Sequence, residues 1–167
     1  EPTTALDVTV QAQVLRLLRR LRDDIGCSIV MITHDLGVAA QISDRIAVLS
    51  AGRVAEIGPT TALLESPAHP YTFGLLRSRL TLATPRHRAL ATLPGAVPSP
   101  LSPLPGCAFA PRCTLATPAC ESSPPDPVMV APGRAGACLL PMEAVAGELN
   151  APAADAVSGA VRRVGRW

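Results

Sequence analysis

Ser28-Ile29-Val30-Met31-Ile32-Thr33, closed by His34-Asp35, is the stretch on which the fold turns. It is apolar and β-branched with no polar alternation, so it predicts a strand covered on both faces, as in a parallel α/β sheet. His34 and Asp35 fall just past its C-terminal end, where such sheets place their chemistry. Before it, Val14, Leu17, Leu18, Leu21 and Ile25 make one apolar stripe of a helix over 8–25. Asp7 suits the N-cap of that helix and Gly26 its left-handed end. Cys27, at the start of the apolar run, reads as a small core hydrophobe.

After it, 36–43 predicts a short helix. Arg45–Leu49 and Arg53–Ile57 flank Ser50-Ala51-Gly52 as a β-hairpin, and brief helices follow around 60–65 and 70–78. Beyond residue 84 the composition changes. Twelve of the eighteen prolines and four of the five cysteines lie between 94 and 141. So much proline cannot build much helix or sheet, so something else must order this stretch. From 143 the chain is Ala/Gly-rich without a period and is expected to fray. The expected division is therefore 1–83, 84–142 and 143–167.

The chain has 167 residues, 48% of them hydrophobic and 2% aromatic, so its core rests on Leu, Val, Ile and Ala. A net charge of +2 gives no argument for nucleic acid or an anionic membrane as partner. All fifteen basic residues are arginine. Without lysine there is no Walker A loop, whose lysine reaches the β- and γ-phosphates. No run approaches the roughly 18 apolar residues of a membrane span. The first residue is Glu1, which reads as an internal start and not as a signal peptide.

Glu1-Pro2-Thr3-Thr4-Ala5-Leu6-Asp7 resembles the end of the Walker B motif running into the D-loop of ATP-binding cassette proteins. Ile32-Thr33-His34-Asp35 resembles the same family's switch histidine, and Asp44–Val54 continues the pattern. The resemblance implies a P-loop NTPase core, α/β with parallel strands and a β-hairpin, present here in part. It implies that Glu1 polarises the attacking water and that His34 contacts the γ-phosphate of ATP held with Mg2+. It also implies that Ala5, Leu6 and Asp7 lie where two cassettes meet. Phosphoryl transfer needs that placed water and that charge neutralisation. The Walker A loop, glutamine loop, LSGGQ-like signature and Walker B aspartate have no counterpart in the sequence. The chain alone is accordingly expected to be inactive toward ATP.

Cys107, Cys113, Cys120 and Cys138 are spaced C-x5-C-x6-C-x17-C in a stretch poor in other ordering signals. Four thiolates on one point give tetrahedral sulfur ligation, suited to zinc or an iron–sulfur cluster, and metal binding supplies folding free energy directly. Two disulfides or scattered free thiols are the alternatives, the disulfides being disfavoured in a reducing compartment. His69 and His87 stand in loop sequence and are assigned no chemistry.

Ser66-Pro67-Ala68-His69-Pro70-Tyr71-Thr72-Phe73-Gly74-Leu75-Leu76 is similar to the stretch that closes the cassette in peptide and nickel importer ATPases. Leu93–Cys138 resembles their irregular Cys/Pro-rich extension, with Gly106-Cys107, Phe109 and Pro111-Arg112-Cys113 matching its GC-x-F-x-PRC pattern. This implies a [4Fe–4S] cluster on the four cysteines, with zinc as the alternative. It implies an energy-coupling subunit of an oligopeptide/dipeptide importer on the cytoplasmic face of the plasma membrane. Its partners would be a second ATPase subunit, membrane permeases and, indirectly, a substrate-binding protein, with no nucleic acid. A cassette ATPase of DNA repair or chromosome maintenance shares the D-loop and histidine. It is opposed by the absence of coiled-coil heptads and by the proline-bracketed segment. A non-catalytic metal-binding fragment is the third reading.

Overall fold

The computed structural model of the chain describes residues 6–78, 92–99, 101, 104–140, 143 and 145–147. The expected cap residues start and stop the first helix, α1 (Val8–Ile25). The Asp7 carboxylate accepts the Thr9 and Val10 amides at 2.9 Å each, and Gly26 ends the helix at φ 69° with its N–H on the Arg22 carbonyl. The apolar stripe, however, is mostly uncovered. Leu15 is the residue of α1 that is buried, while Leu17, Leu21 and Ile25 are exposed.

The run 28–33 does not form the expected strand. Val30 is 93% and Ile32 78% exposed, Cys27 is exposed and not in a core, and no ladder is made. A strand exists only through a neighbour's backbone groups, and none of the described strands lies beside this run. Asp35 then caps α2 (Leu36–Ile42) by accepting from Gly37 and Val38 amides at 2.6 and 3.3 Å.

The sheet comes from later sequence, and it is antiparallel throughout, not parallel. β1 (Arg45–Ser50) and β2 (Arg53–Pro59) form the expected hairpin. Ala51 and Gly52, at φ 46° and 78°, make a two-residue turn with both central residues left-handed, the form that matches strand twist. Helices α3 (Thr60–Glu65) and α4 (Pro70–Arg77) fold back on it, closing a core of Ala39, Ile46, Val48 and Leu63 against Leu64, Tyr71 and Leu75.

The proline-rich stretch adds two strands that its composition hides. β3 (Val128–Ala131) and β4 (Arg134–Gly136) form a second hairpin, and β4 pairs with β2 through Glu56↔Gly136 and Ile57↔Ala135. The sheet order is β1-β2-β4-β3. Pro127 stands just before β3 and Pro132 in the turn, so neither removes a ladder donor. Between α4 and β3, a single 3-10 turn (Ala110–Arg112) and the short α5 (Pro118–Ser122) are the helical pieces among the described residues.

One buried ion pair ties the two hairpins together. Glu56 on β2 is fully buried, and its Oε1 accepts from Arg134 Nε at 3.1 Å, Arg134 Nη2 at 2.7 Å and the Ala68 amide at 2.9 Å. Its Oε2 accepts the His69 amide at 3.1 Å, and Arg134 also donates to the Ser66 carbonyl. A carboxylate out of water is tolerated only when donors surround it. Gly58 leaves room for the guanidinium stem, because a β-carbon there would stand 2.8 Å from Arg134 Cγ.

His69 caps α4, with Nδ1 accepting the Tyr71 amide at 3.0 Å. Burial pushes its pKa down to about 4, against the opposing pull of Glu56 and a hydrogen bond to the Ala137 backbone. An imidazole with a lowered folded pKa stabilises the fold fully above its ordinary value near 6.5. That contribution is lost as pH falls toward about 4.

Two outcomes are expected. Arg134→Met strands the Glu56 carboxylate and lowers unfolding free energy by about 3–5 kcal/mol, measured by denaturant titration, whereas Glu56→Leu combined with Arg134→Met recovers most of it. Between pH 6.5 and 4, stability falls by up to about 3 kcal/mol from His69. In His69→Asn, which keeps an acceptor but does not titrate, that part of the pH slope disappears.

Candidate functional site

The four cysteines of the extension come together around one small cavity. Cys107 and Cys113 bracket the 3-10 turn, Cys120 lies in α5, and Cys138 follows β4 by two residues. All four line the same space, with His69 and Phe109 completing its wall. Local hydrogen bonds hold the loops. The Cys107 amide donates to the Cys120 carbonyl at 2.7 Å, and Cys113 accepts the Ala116 amide on its carbonyl at 3.2 Å. The Leu140 amide donates to Cys138 Sγ at 3.4 Å, and Thr117 Oγ1 lies 3.4 Å from Cys120 Sγ. Gly106 permits this crossing of chains. A β-carbon there would stand 2.6 Å from the Glu121 carbonyl carbon and closer still to the Cys120 oxygen.

The cysteines are free thiols. Burial pushes Cys113 and Cys138 up from the ordinary thiol range, and the neighbouring thiols push in the same direction. Backbone donors at Leu115 and Leu140 act the other way. Both are therefore protonated at neutral pH, and ligation would have to release those protons. Among the described residues, no group of three or more His, Cys, Asp or Glu side chains is arranged to hold a metal ion. The four sulfurs share a space without closing on a single point in it. What they offer is sulfur-only donation from four sides once drawn inward.

Phe109 is buried between this loop and α4. Its ring lies 5.2 Å from Tyr71 and 6.1 Å from His69, both tilted, while Arg112 stands 5.9 Å over it and anchors on the Pro94 carbonyl at 2.9 Å. His69 carries more than its loop sequence suggests. It belongs to the cavity wall, to the cap of α4 and to the Glu56 cluster at once. The signal was present, since a polar residue before a proline at the first helical position reads as an N-cap. Arg134 had no such signal, because its role depends on a strand hidden among prolines.

The residues expected from the sequence to face a nucleotide are less gathered. Asp7 is the exposed cap of α1, Leu6 is exposed, and His34 is exposed in the bend before α2. Glu1 and Ala5 lie outside the described residues, as do His87 and most of the tail expected to fray. Among the described residues no helix is long and apolar enough to cross a membrane.

Residues 55–120 match the profile of the oligopeptide/dipeptide transporter C-terminal region. That span includes Glu56, His69, Phe109 and three of the four cysteines. A protein of Brucella melitensis biotype 1, named for peptide import and ATP binding, is 48% identical over 139 residues, covering 83% of this chain and 41% of the relative. One of Brucella ovis with the same kind of name is 51% identical over 131 residues, 75% of this chain and 38% of the relative. The chain thus spans about two fifths of the length of these relatives. It belongs to the family of ATP-binding subunits of oligopeptide/dipeptide transporters, and its cysteine-bearing half carries that family's C-terminal region.

Proposed function

We propose that the chain is the distal part of an energy-coupling ATPase subunit of a peptide importer, in which ATP closes a pair of cassettes and hydrolysis reopens them. The observation that carries this reading is the run of family features in one order. The D-loop-like Ala5-Leu6-Asp7 leads to the helix capped by Asp7, then to His34, the hairpin and the cysteine loop. Glu1 polarises the attacking water and His34 contacts the γ-phosphate of Mg2+-bound ATP. Ala5, Leu6 and Asp7 meet the second cassette. The run 28–33 becomes a central parallel strand of the whole cassette, which accounts for its doubly apolar character. The division at 1–83, 84–142 and 143–167 separates cassette part, cysteine extension and tail. Permease subunits in the cytoplasmic membrane and a second ATPase subunit are the partners, and a substrate-binding protein acts through the permeases.

Cys107, Cys113, Cys120 and Cys138 hold the cofactor, a [4Fe–4S] cluster in preference to zinc. Convergence of four free thiols on one cavity supports sulfur-only ligation. The bound group orders a loop that has little apolar core of its own.

Phosphate release from Mg-ATP by this chain alone is expected to stay at background, because no lysine is present to hold the triphosphate. Hydrolysis abolished by His34→Ala would contradict that. Anaerobic purification is expected to give a brown protein with iron and sulfide in equal amounts, and Cys113→Ser to lose the colour. A colourless, zinc-containing protein would replace the cluster by zinc. A protein that takes up neither metal would remove the cofactor.

A further inference from the structure

A second cavity, separate from the cysteine-lined one, opens between the tip of the β1–β2 hairpin and the Pro124–Pro127 segment. It encloses about 300 Å³, the lower end of the range for small-molecule sites. His69, Cys107, Phe109 and Pro125 form the wall it shares with the cysteine cavity. Most of the remaining lining is apolar, from Val54, Ala108 and the prolines. Two opposite charges also line it, Arg53 from the start of β2 and Asp126 from the proline segment.

These charges do not neutralise each other. Neither Arg53 nor Asp126 enters an ion pair or a side-chain hydrogen bond among the described residues, although both border one cavity. The one buried pair of opposite charges among the described residues, Arg134 with Glu56, is by contrast in direct contact. An unpaired cation and an unpaired anion bordering one largely apolar space match a small molecule with one charge of each sign and an apolar body between or beside them. An unblocked amino acid or dipeptide has that form. Its carboxylate suits the planar guanidinium donor of Arg53, its ammonium suits Asp126, and its side chain suits Val54, Phe109 and the prolines.

The geometry points to this cavity as a binding site for a free, apolar amino acid or dipeptide, clamped between Arg53 and Asp126. The inference goes beyond the transport reading and does not rest on it, since binding here requires neither ATP nor a cofactor on the cysteines. Calorimetric titration of the purified chain with leucine and with leucyl-leucine tests it. N-acetyl-leucyl-leucine amide, which lacks both charges, is the control. Saturable binding of at least one unblocked ligand is expected, with the blocked peptide weaker by about tenfold or more. Arg53→Gln and Asp126→Asn are each expected to weaken the unblocked ligand about tenfold, the scale of one charge-assisted hydrogen bond. Both positions are exposed, so the variants should keep the parent far-UV circular dichroism. The ligand comparison on the unaltered chain stands even if a variant does not fold. No saturable binding, equal binding of the blocked peptide, or a folded variant that binds like the parent would each overturn the proposal.

Discussion

A carboxylate with no exposure to water, Glu56, holds this molecule's later half to its earlier one. Its four hydrogen bonds come from two separate places in the chain, the Ala68 and His69 amides of the turn before α4 and the Arg134 guanidinium at the start of β4. Taking such a charge out of water is costly, and the cost is offset only when every donor is in place together. That requirement makes the cluster a test of assembly. The hairpin, the proline-bracketed turn and the second hairpin must all arrive before the carboxylate is satisfied.

The placement of the cysteines follows from the same cluster. Arg134 fixes β4 against β2, and Cys138 comes two residues after that strand ends. On the other side, the His69 amide is held by Glu56 while the His69 ring faces the cysteine cavity. The cavity therefore has one wall set by the ion pair and another by Phe109, with Arg112 over its ring. The loops between need only local turns, which is why a stretch with so much proline can hold four thiols in one place.

Elements governed by local chemistry were legible in the sequence. Asp7 and Gly26 delimit α1, Ala51-Gly52 makes the hairpin turn, and Cys107, Cys113, Cys120 and Cys138 line one cavity without closing on a single point. Elements that depend on a partner were not. The 28–33 run has the composition of a buried strand, but composition does not supply the adjacent backbone that a ladder needs. The strand β4 has three residues, Arg-Ala-Gly, and exists only because β2 and β3 flank it. Its charged first residue reads as solvent-facing until Glu56 is seen opposite. His69 reads as a loop residue because one letter does not reveal that a histidine is buried.

If Glu56 and Arg134 join the two hairpins into one cooperative unit, the backbone amides across that seam open together. Native-state hydrogen exchange of the Ala137 amide, which donates to the Ala55 carbonyl at 2.8 Å, measures this directly. Ala137 and His69 are expected to exchange with the same opening free energy as the β1–β2 ladder, and Arg134→Met to speed all of them. Exchange of Ala137 at the rate of an open loop while the β1–β2 amides stay protected would contradict a single cooperative unit, and would mean that the second hairpin rests on the first without being held by it.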